Sequence, residues 1–254
     1  MLRLLTIPIS HYCEKARWAL DRAGLDYVEE PHVQVLHRLY ARRAGGGLTV
    51  PVLVTPQGAI GDSAQILEWV DRRLEPERRL LAEDPDERAR EQELCKRFDE
   101  VLGPSGRRLI YVRMFDEPRA TVLGFNNQGV AAWEDRALRA LWPLATRAVG
   151  RVLAIEPGVE VEDERTVWGE LDHVAELLAD GRPYLLGERF GAADLTFASL
   201  AAPVIASPTY GVRLPQPEQM GPATAALVRR AREHPAGRWA LGVIEAQRRG
   251  VAVG

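Results

Sequence analysis

The chain is poor in cysteine: of 254 residues only Cys13 and Cys95 carry a thiol, and they lie far apart. That excludes a disulfide framework and makes a reducing cytoplasm the expected home. A dominant charge of either sign is also missing. With 33 basic and 36 acidic side chains the net charge is -3, which gives no general attraction to nucleic acid or to an anionic membrane; neither is expected as a partner. The arginine pairs Arg42-Arg43, Arg72-Arg73, Arg229-Arg230 and Arg248-Arg249 are scattered among acids and read as solvated faces. Long hydrophobic runs are absent too. The apolar start, residues 1–7, is too short for a signal peptide and ends at Pro8. The longest uncharged stretch, 195–212, is broken by Thr196, Ser199, Pro203, Ser207 and Pro208, and so reads as buried helix rather than a membrane span. Five histidines show no metal-ligand spacing, and no phosphate loop, zinc motif or Ser-His-Asp order appears, so no metal is expected.

What is present is globular. Hydrophobic residues make up 46% and charged residues 27%, enough for one large core or two modest ones. Residues 2–7 read as a strand. Ala16, Ala19, Leu20 and Ala23 then fall on one helical stripe, closed by Gly24. A second strand is expected at 27–30, helix or loop at 33–47 ending in the flexible run Gly45-Gly46-Gly47, and strands at 50–54 and 59–60 around a turn. Asp62-Ser63 cap a helix with the apolar face Ile66, Leu67, Trp69 and Val70. This order predicts an α/β thioredoxin-like domain over residues 1–75. A charged linker follows at 76–85, with Pro76 and Pro85. Every clear period from 86 to 254 is helical, predicting an all-α C-terminal domain with helices at 86–115, 133–155, 162–180, 192–206 and 222–248, and a loop at 116–132.

Two motifs carry chemistry. Ser10-His11-Tyr12-Cys13-Glu14-Lys15-Ala16-Arg17 sits where the first strand passes into the first helix. Thr49-Val50-Pro51-Val52-Leu53 precedes Asp62-Ser63, which lies eleven residues beyond the proline. In this order they resemble the thiol-binding half of the cytosolic glutathione transferase superfamily, and Lys15-Ala16-Arg17 resembles the basic-x-Arg element of its omega, zeta and prostaglandin-E-synthase-2-like groups. The segment from Leu186 to Leu195 resembles the capped central helix of that family's second domain, with Asp194 kept and Gly191 in place of the usual hydroxyl.

The resemblance implies glutathione as co-substrate, a small-molecule electrophile, and a homodimer, for which Trp69 and Phe98 are either exposed apolar anchors or simply core. It implies that Val50, before a cis Pro51, pairs its backbone with the thiol peptide, and that Asp62 and Ser63 take the γ-glutamyl end. Ser10 stands at the activator position. A thiol of pKa about 8.5 is mostly protonated at neutral pH; a hydroxyl donor and a helix N-terminus would favour the thiolate. Ser10 is equally a plain helix cap. Tyr12 is a second candidate activator. Cys13, one turn on, is a redox thiol lowered by Lys15 or Arg17, or a small residue packing helix against sheet. Arg107, Arg108, Tyr111 and Arg113 are candidates to face the electrophile. The expected function is therefore a glutathione transferase-like enzyme. A Cys13 thiol-disulfide or peroxide reductase and a non-catalytic binding protein of the same fold stay open, the latter because His11 and Gly191 depart from the pattern.

Overall fold

The computed structural model describes residues 1–248. Its first part is one four-stranded sheet with helices on both faces. Strands β1 (Leu2–Thr6) and β2 (Tyr27–Pro31) run parallel, joined by helix α1 (His11–Arg22). Helix α2 (His37–Arg43) leads to β3 (Val52–Thr55) and β4 (Gly58–Ile60), which add antiparallel in the order β2-β1-β3-β4; helix α3 (Ser63–Asp71) closes the unit. The thioredoxin-like expectation holds. The central strand shows why these residues make a sheet. Leu4 and Leu53, paired across β1 and β3, face α1 and α3, whereas Leu5 and Val52, the next pair, face Ala41 of α2. Alternation sends successive side chains into opposite layers.

Two local readings need correcting. The third strand starts at Val52, so Val50 and Pro51 form its lead-in, and the Val50-Pro51 bond is cis as expected. The glycines at 45–47 are not a flexible run. A side-chain carbon on Gly61 would lie 2.3 Å from the carbonyl oxygen of Gly46, and one on Gly46 would lie 2.4 Å from Val52. Two backbones touch there, and only glycine permits it.

A short 3-10 turn (Pro76–Arg78) occupies the expected linker. All regular structure beyond it is helical. Helix α4 (Pro85–Arg97) starts from an Asp84 cap and passes through a π-helical turn (Phe98–Leu102) into α5 (Gly103–Phe115). Helices α6 (Arg119–Asn126), α7 (Ala132–Ala140) and α8 (Trp142–Val152) follow, then the long α9 (Val159–Leu177) and the buried α10 (Ala192–Leu200). The chain ends in α11 (Ala202–Ile205), α12 (Pro222–Glu233) and α13 (Pro235–Arg248). Four of the expected segments differ. The loop expected at 116–132 contains α6, and three expected helices are each split, at Pro143, Pro203 and Pro235. Each proline stands in the first turn of the helix that follows the break, where its missing N–H costs nothing. The last residues of the expected helical domain, 249–254, lie outside the described residues.

The two parts share one core. An apolar cluster runs from Leu4 and Leu53 in the sheet through Trp18 and Ala19 of α1 to Phe98, Leu102 and Phe197. Phe98 is thus fully buried and no anchor for a second subunit. Trp69 is half-buried beneath the guanidinium of Arg73, 3.4 Å above its ring. Arg248 is no solvated residue either: it is buried and pairs with Glu14 and Asp21 of α1.

The cap of α10 explains Gly191. Asp194 accepts the N–H of Gly191 at 2.7 Å and that of Leu185 at 2.8 Å. The N–H of Ala192 is shared between the carbonyl of Leu80, at 2.9 Å, and Glu91 of α4, at 3.1 Å. A side-chain carbon on Gly191 would lie 2.9 Å from that Glu91 oxygen. A carboxylate from another helix occupies the space a local hydroxyl would need. Asp194→Ala should therefore cost about 2–4 kcal/mol in urea unfolding, because two buried N–H groups lose their acceptor. Gly191→Ser, which restores the residue usual at this cap, should destabilise rather than stabilise; a gain in stability would refute this account.

Candidate functional site

The site is built around the start of α1. Ser10 is its cap, in extended conformation, and its Oγ accepts the N–H of Cys13 at 3.4 Å. Serine caps well because a short hydroxyl reaches back to the first orphan donors. The residue stands on the wall of a cavity of about 390 Å3. That cavity opens between the sheet domain and the helices, with Val50, Arg38, Arg107, Tyr111, Met114 and Val149 among its lining residues. Neither the N–H nor the C=O of Val50 bonds to protein among the described residues.

The other candidates separate into three groups. Asp62 and Ser63 lie beside the cavity, at the start of α3, and do not line it. Asp62 is exposed, and its Oδ1 caps α3 by accepting from Ala64 at 2.9 Å and Gln65 at 3.1 Å; Ser63 is buried. Tyr12 lines the cavity, but its hydroxyl donates to the carbonyl of Asp99 at 2.7 Å, and burial pushes its pKa well above the usual phenol range. Its role here is to tie α1 to the helical domain. Cys13 is wholly buried and absent from the cavity wall, with its thiol pushed up to about 11, chiefly by desolvation. At neutral pH that sulfur is a protonated packing group.

Of the cations expected to lower Cys13, Arg17 does so by its charge, but burial outweighs it, and both cations are held by ion pairs. Lys15 bonds both oxygens of Asp99, at 2.9 and 2.8 Å. Arg17 bonds Glu29, Glu14 and the carbonyl of Pro8. On the helical side, Arg107 and Tyr111 line the cavity, whereas Arg108 pairs with Asp163 and Arg113 with Glu164, both on α9. The opposing loop is held from the far side: Glu134 of α7 takes His32 Nδ1 at 2.8 Å and the N–H of Val33 at 3.0 Å, and Gln34 bonds Asn126 and Tyr111. Sequence reading missed Arg38, Gln34 and Glu134. Nothing local marks them, since each acquires its role from a partner or a cavity made by distant segments. Among the described residues no group of His, Cys, Asp and Glu could hold a metal, and no helix is long and apolar enough to cross a membrane.

His11, beside Ser10, is buried, and desolvation together with the Arg107 charge pushes its pKa down to about 3. The imidazole is neutral across the physiological range. The unfolded chain takes up a proton near pH 6.5 that the folded chain refuses until about pH 3. This contribution to stability is therefore complete above 6.5 and is lost as pH falls through that window, at up to about 1.4 kcal/mol per pH unit. His11→Asn should remove it: in denaturant titrations between pH 6.5 and 3.5, the variant should gain on the wild type as pH falls. A constant difference would show that His11 carries no such linkage.

Comparison with known proteins agrees with this geometry. Residues 4–78 match the family model "Glutathione S-transferase, N-terminal domain". No curated protein matches the chain by sequence. Among solved structures, a glutathione S-transferase from Xanthobacter autotrophicus Py2 superposes with a TM-score of 0.61 at 17% identity, over 97% of this chain and 93% of that one. Glutathione transferase F7 from Populus trichocarpa gives 0.60 at 14% identity, covering 97% and 99%. A glutathione S-transferase from Methylobacterium radiotolerans, in complex with glutathione sulfonate, gives 0.53 at 22% identity, covering 94% of each chain. Residues 4–78 thus match the glutathione S-transferase N-terminal domain, and nearly the whole chain shares the fold of solved glutathione transferases.

Proposed function

We propose that the protein is a glutathione-dependent transferase that binds the tripeptide along the sheet domain and activates its thiol at Ser10 for attack on a small electrophile. The observation that carries this reading is the capped start of α1, with the Ser10 hydroxyl on the cavity wall beside the unpaired backbone of Val50. Val50 offers one donor and one acceptor to an extended peptide, in the manner of an added strand. Ser63, at the start of α3, offers its N–H and hydroxyl to a carboxylate at the γ-glutamyl end, with the second oxygen of Asp62 left for the amine. Arg38, on α2, suits the carboxylate at the other end. The thiol then meets the N-terminus of α1, where the helix dipole and the Ser10 proton favour the thiolate. Binding of glutathione sulfonate by the Methylobacterium radiotolerans relative is consistent with this. Catalysis consists of holding thiolate and electrophile together and lowering the thiol pKa.

Calorimetry with glutathione should give saturable heat that Ser63→Ala weakens. With 1-chloro-2,4-dinitrobenzene as electrophile, Ser10→Ala should lower kcat/KM by about ten- to a thousandfold, corresponding to about 1.5–4 kcal/mol of lost thiolate stabilisation. Cys13→Ala should change the rate little. The reverse pattern, an inactive Cys13→Ala beside an active Ser10→Ala, would overturn the assignment in favour of redox chemistry at Cys13; no heat with glutathione would overturn the thiol site itself.

The homodimer belongs to the same proposal, with Phe98 excluded from its interface by burial. Light scattering at micromolar concentration should return twice the monomer mass.

A further inference from the structure

The charges on the cavity wall are unevenly satisfied. Glu117 is the carboxylate there, and it is committed: it accepts the N–H of Gly221 at 2.8 Å and the hydroxyl of Thr224 at 2.8 Å, holding the start of α12. Arg107 has no such partner. Among the described residues no carboxylate lies within ion-pairing distance of its guanidinium, and its Nε is buried with no acceptor. Its one marked neighbour is the ring of Tyr12, 5.9 Å away, at the outer limit of a cation–π contact. Its neighbours on the helix, Arg108 and Arg113, are both paired. A half-buried guanidinium with an unsatisfied donor is costly unless something brings it an acceptor.

The surroundings say what that is. Arg107 begins a stripe on α5 that continues through Ile110, Tyr111 and Met114, residues three, four and seven further on and all on the cavity wall. Val149 and Leu153 also line it. The stretch of wall formed by Ile110, Met114, Val149 and Leu153 is apolar, and with the unpaired guanidinium on the same helix it fits a molecule with an apolar body and one anionic end. We propose that the cavity binds an apolar carboxylate, aryl or alkyl, whose carboxyl group is held in the fork of Arg107 while its body lies along Ile110, Met114 and Val149. Arg38, on α2, remains for the thiol peptide. That the carboxylate is the electrophilic co-substrate rests on the transferase reading above; that the site selects an anion does not.

The probes are 4-phenylbutanoate and 4-phenylbutan-1-ol, which share a body and differ in charge, titrated calorimetrically into the full chain with and without saturating glutathione. The wild type should bind the acid about ten- to a hundredfold more tightly than the alcohol, as expected for a charge-assisted forked pair. Arg107→Met should abolish that preference and leave alcohol binding unchanged. Equal affinities in the wild type would overturn the proposal without any variant, so a misfolded Arg107→Met does not shield it. Persistence of the preference in a folded Arg107→Met would overturn it too, as would displacement of the acid by glutathione, since the anion site would then be the thiol's own. If glutathione gives no heat while the acid is preferred, the thiol reading fails and the anion site stands.

Discussion

Everything in this molecule is referred to α1, and α1 is held by buried charge. Glu14, Lys15 and Arg17 are each at most 2% exposed. Unpaired, each would cost several kcal/mol, and removing one partner of such a pair typically costs about 3–5 kcal/mol. Their partners come from both parts of the chain. Arg17 reaches Glu29 on β2, Lys15 reaches Asp99 in the π-helical turn, and Glu14 takes Arg248 and the N–H of Gly211. The helix can therefore be neutralised only when sheet and helical layer are assembled around it. Ser10 and His11, its first residues, inherit that fixed position. The proposed thiol site, whose hydroxyl donor must be accurately placed, is thus secured by ion pairs within the protein.

The same pairing shapes the electrostatics of the cavity. A chain of net charge -3 has no general surplus of cations to offer a ligand. Local positive potential arises because the other cations near α1 are cancelled and two on the cavity wall are not. Lys15 and Arg17 are paired with Asp99, Glu29 and Glu14. Arg107 and Arg38 remain on the cavity wall. The neutral state of His11 follows from this, since burial and the neighbouring guanidinium both oppose a second positive charge there.

How much of this was legible in the sequence depends on the range of the interaction responsible. The strand-to-helix junction at Ser10, the Val50-Pro51 lead-in and the Asp62 cap are local, and each was readable from neighbouring residues. Alternation and helical stripes gave the sheet unit and the helical remainder. The breaks at Pro143, Pro203 and Pro235 were also marked in the sequence, but apolar periodicity running across each of them masked the first-turn prolines. The short α6 was hidden by Gly124 and Asn126-Asn127, which read as loop punctuation and stand inside or just beyond it. What stayed illegible were pairings across long separations. Glu134 lies 102 residues from His32, and Glu91 lies 101 from Ala192. Lys15 read as an activator of Cys13 because its partner Asp99 lies 84 residues away.

These ranges also separate the two tasks of the site. The features proposed for the thiol peptide all precede residue 64 and rest largely on backbone groups and helix starts, which tolerate sequence change because every residue supplies them. The features proposed for the co-substrate are side chains of α5 and of the helices packed beyond it. Arg107 and Met114 stand on the same helix as Arg108, whose pair with Asp163 anchors it to α9. Exchanging the cavity-facing residues of α5 would alter the ligand while leaving that anchor, and the thiol site, in place. A fold divided in this way can keep one nucleophile and change its electrophile, which is why the fold by itself does not name the substrate, whereas an unpaired guanidinium in an apolar wall does limit its class.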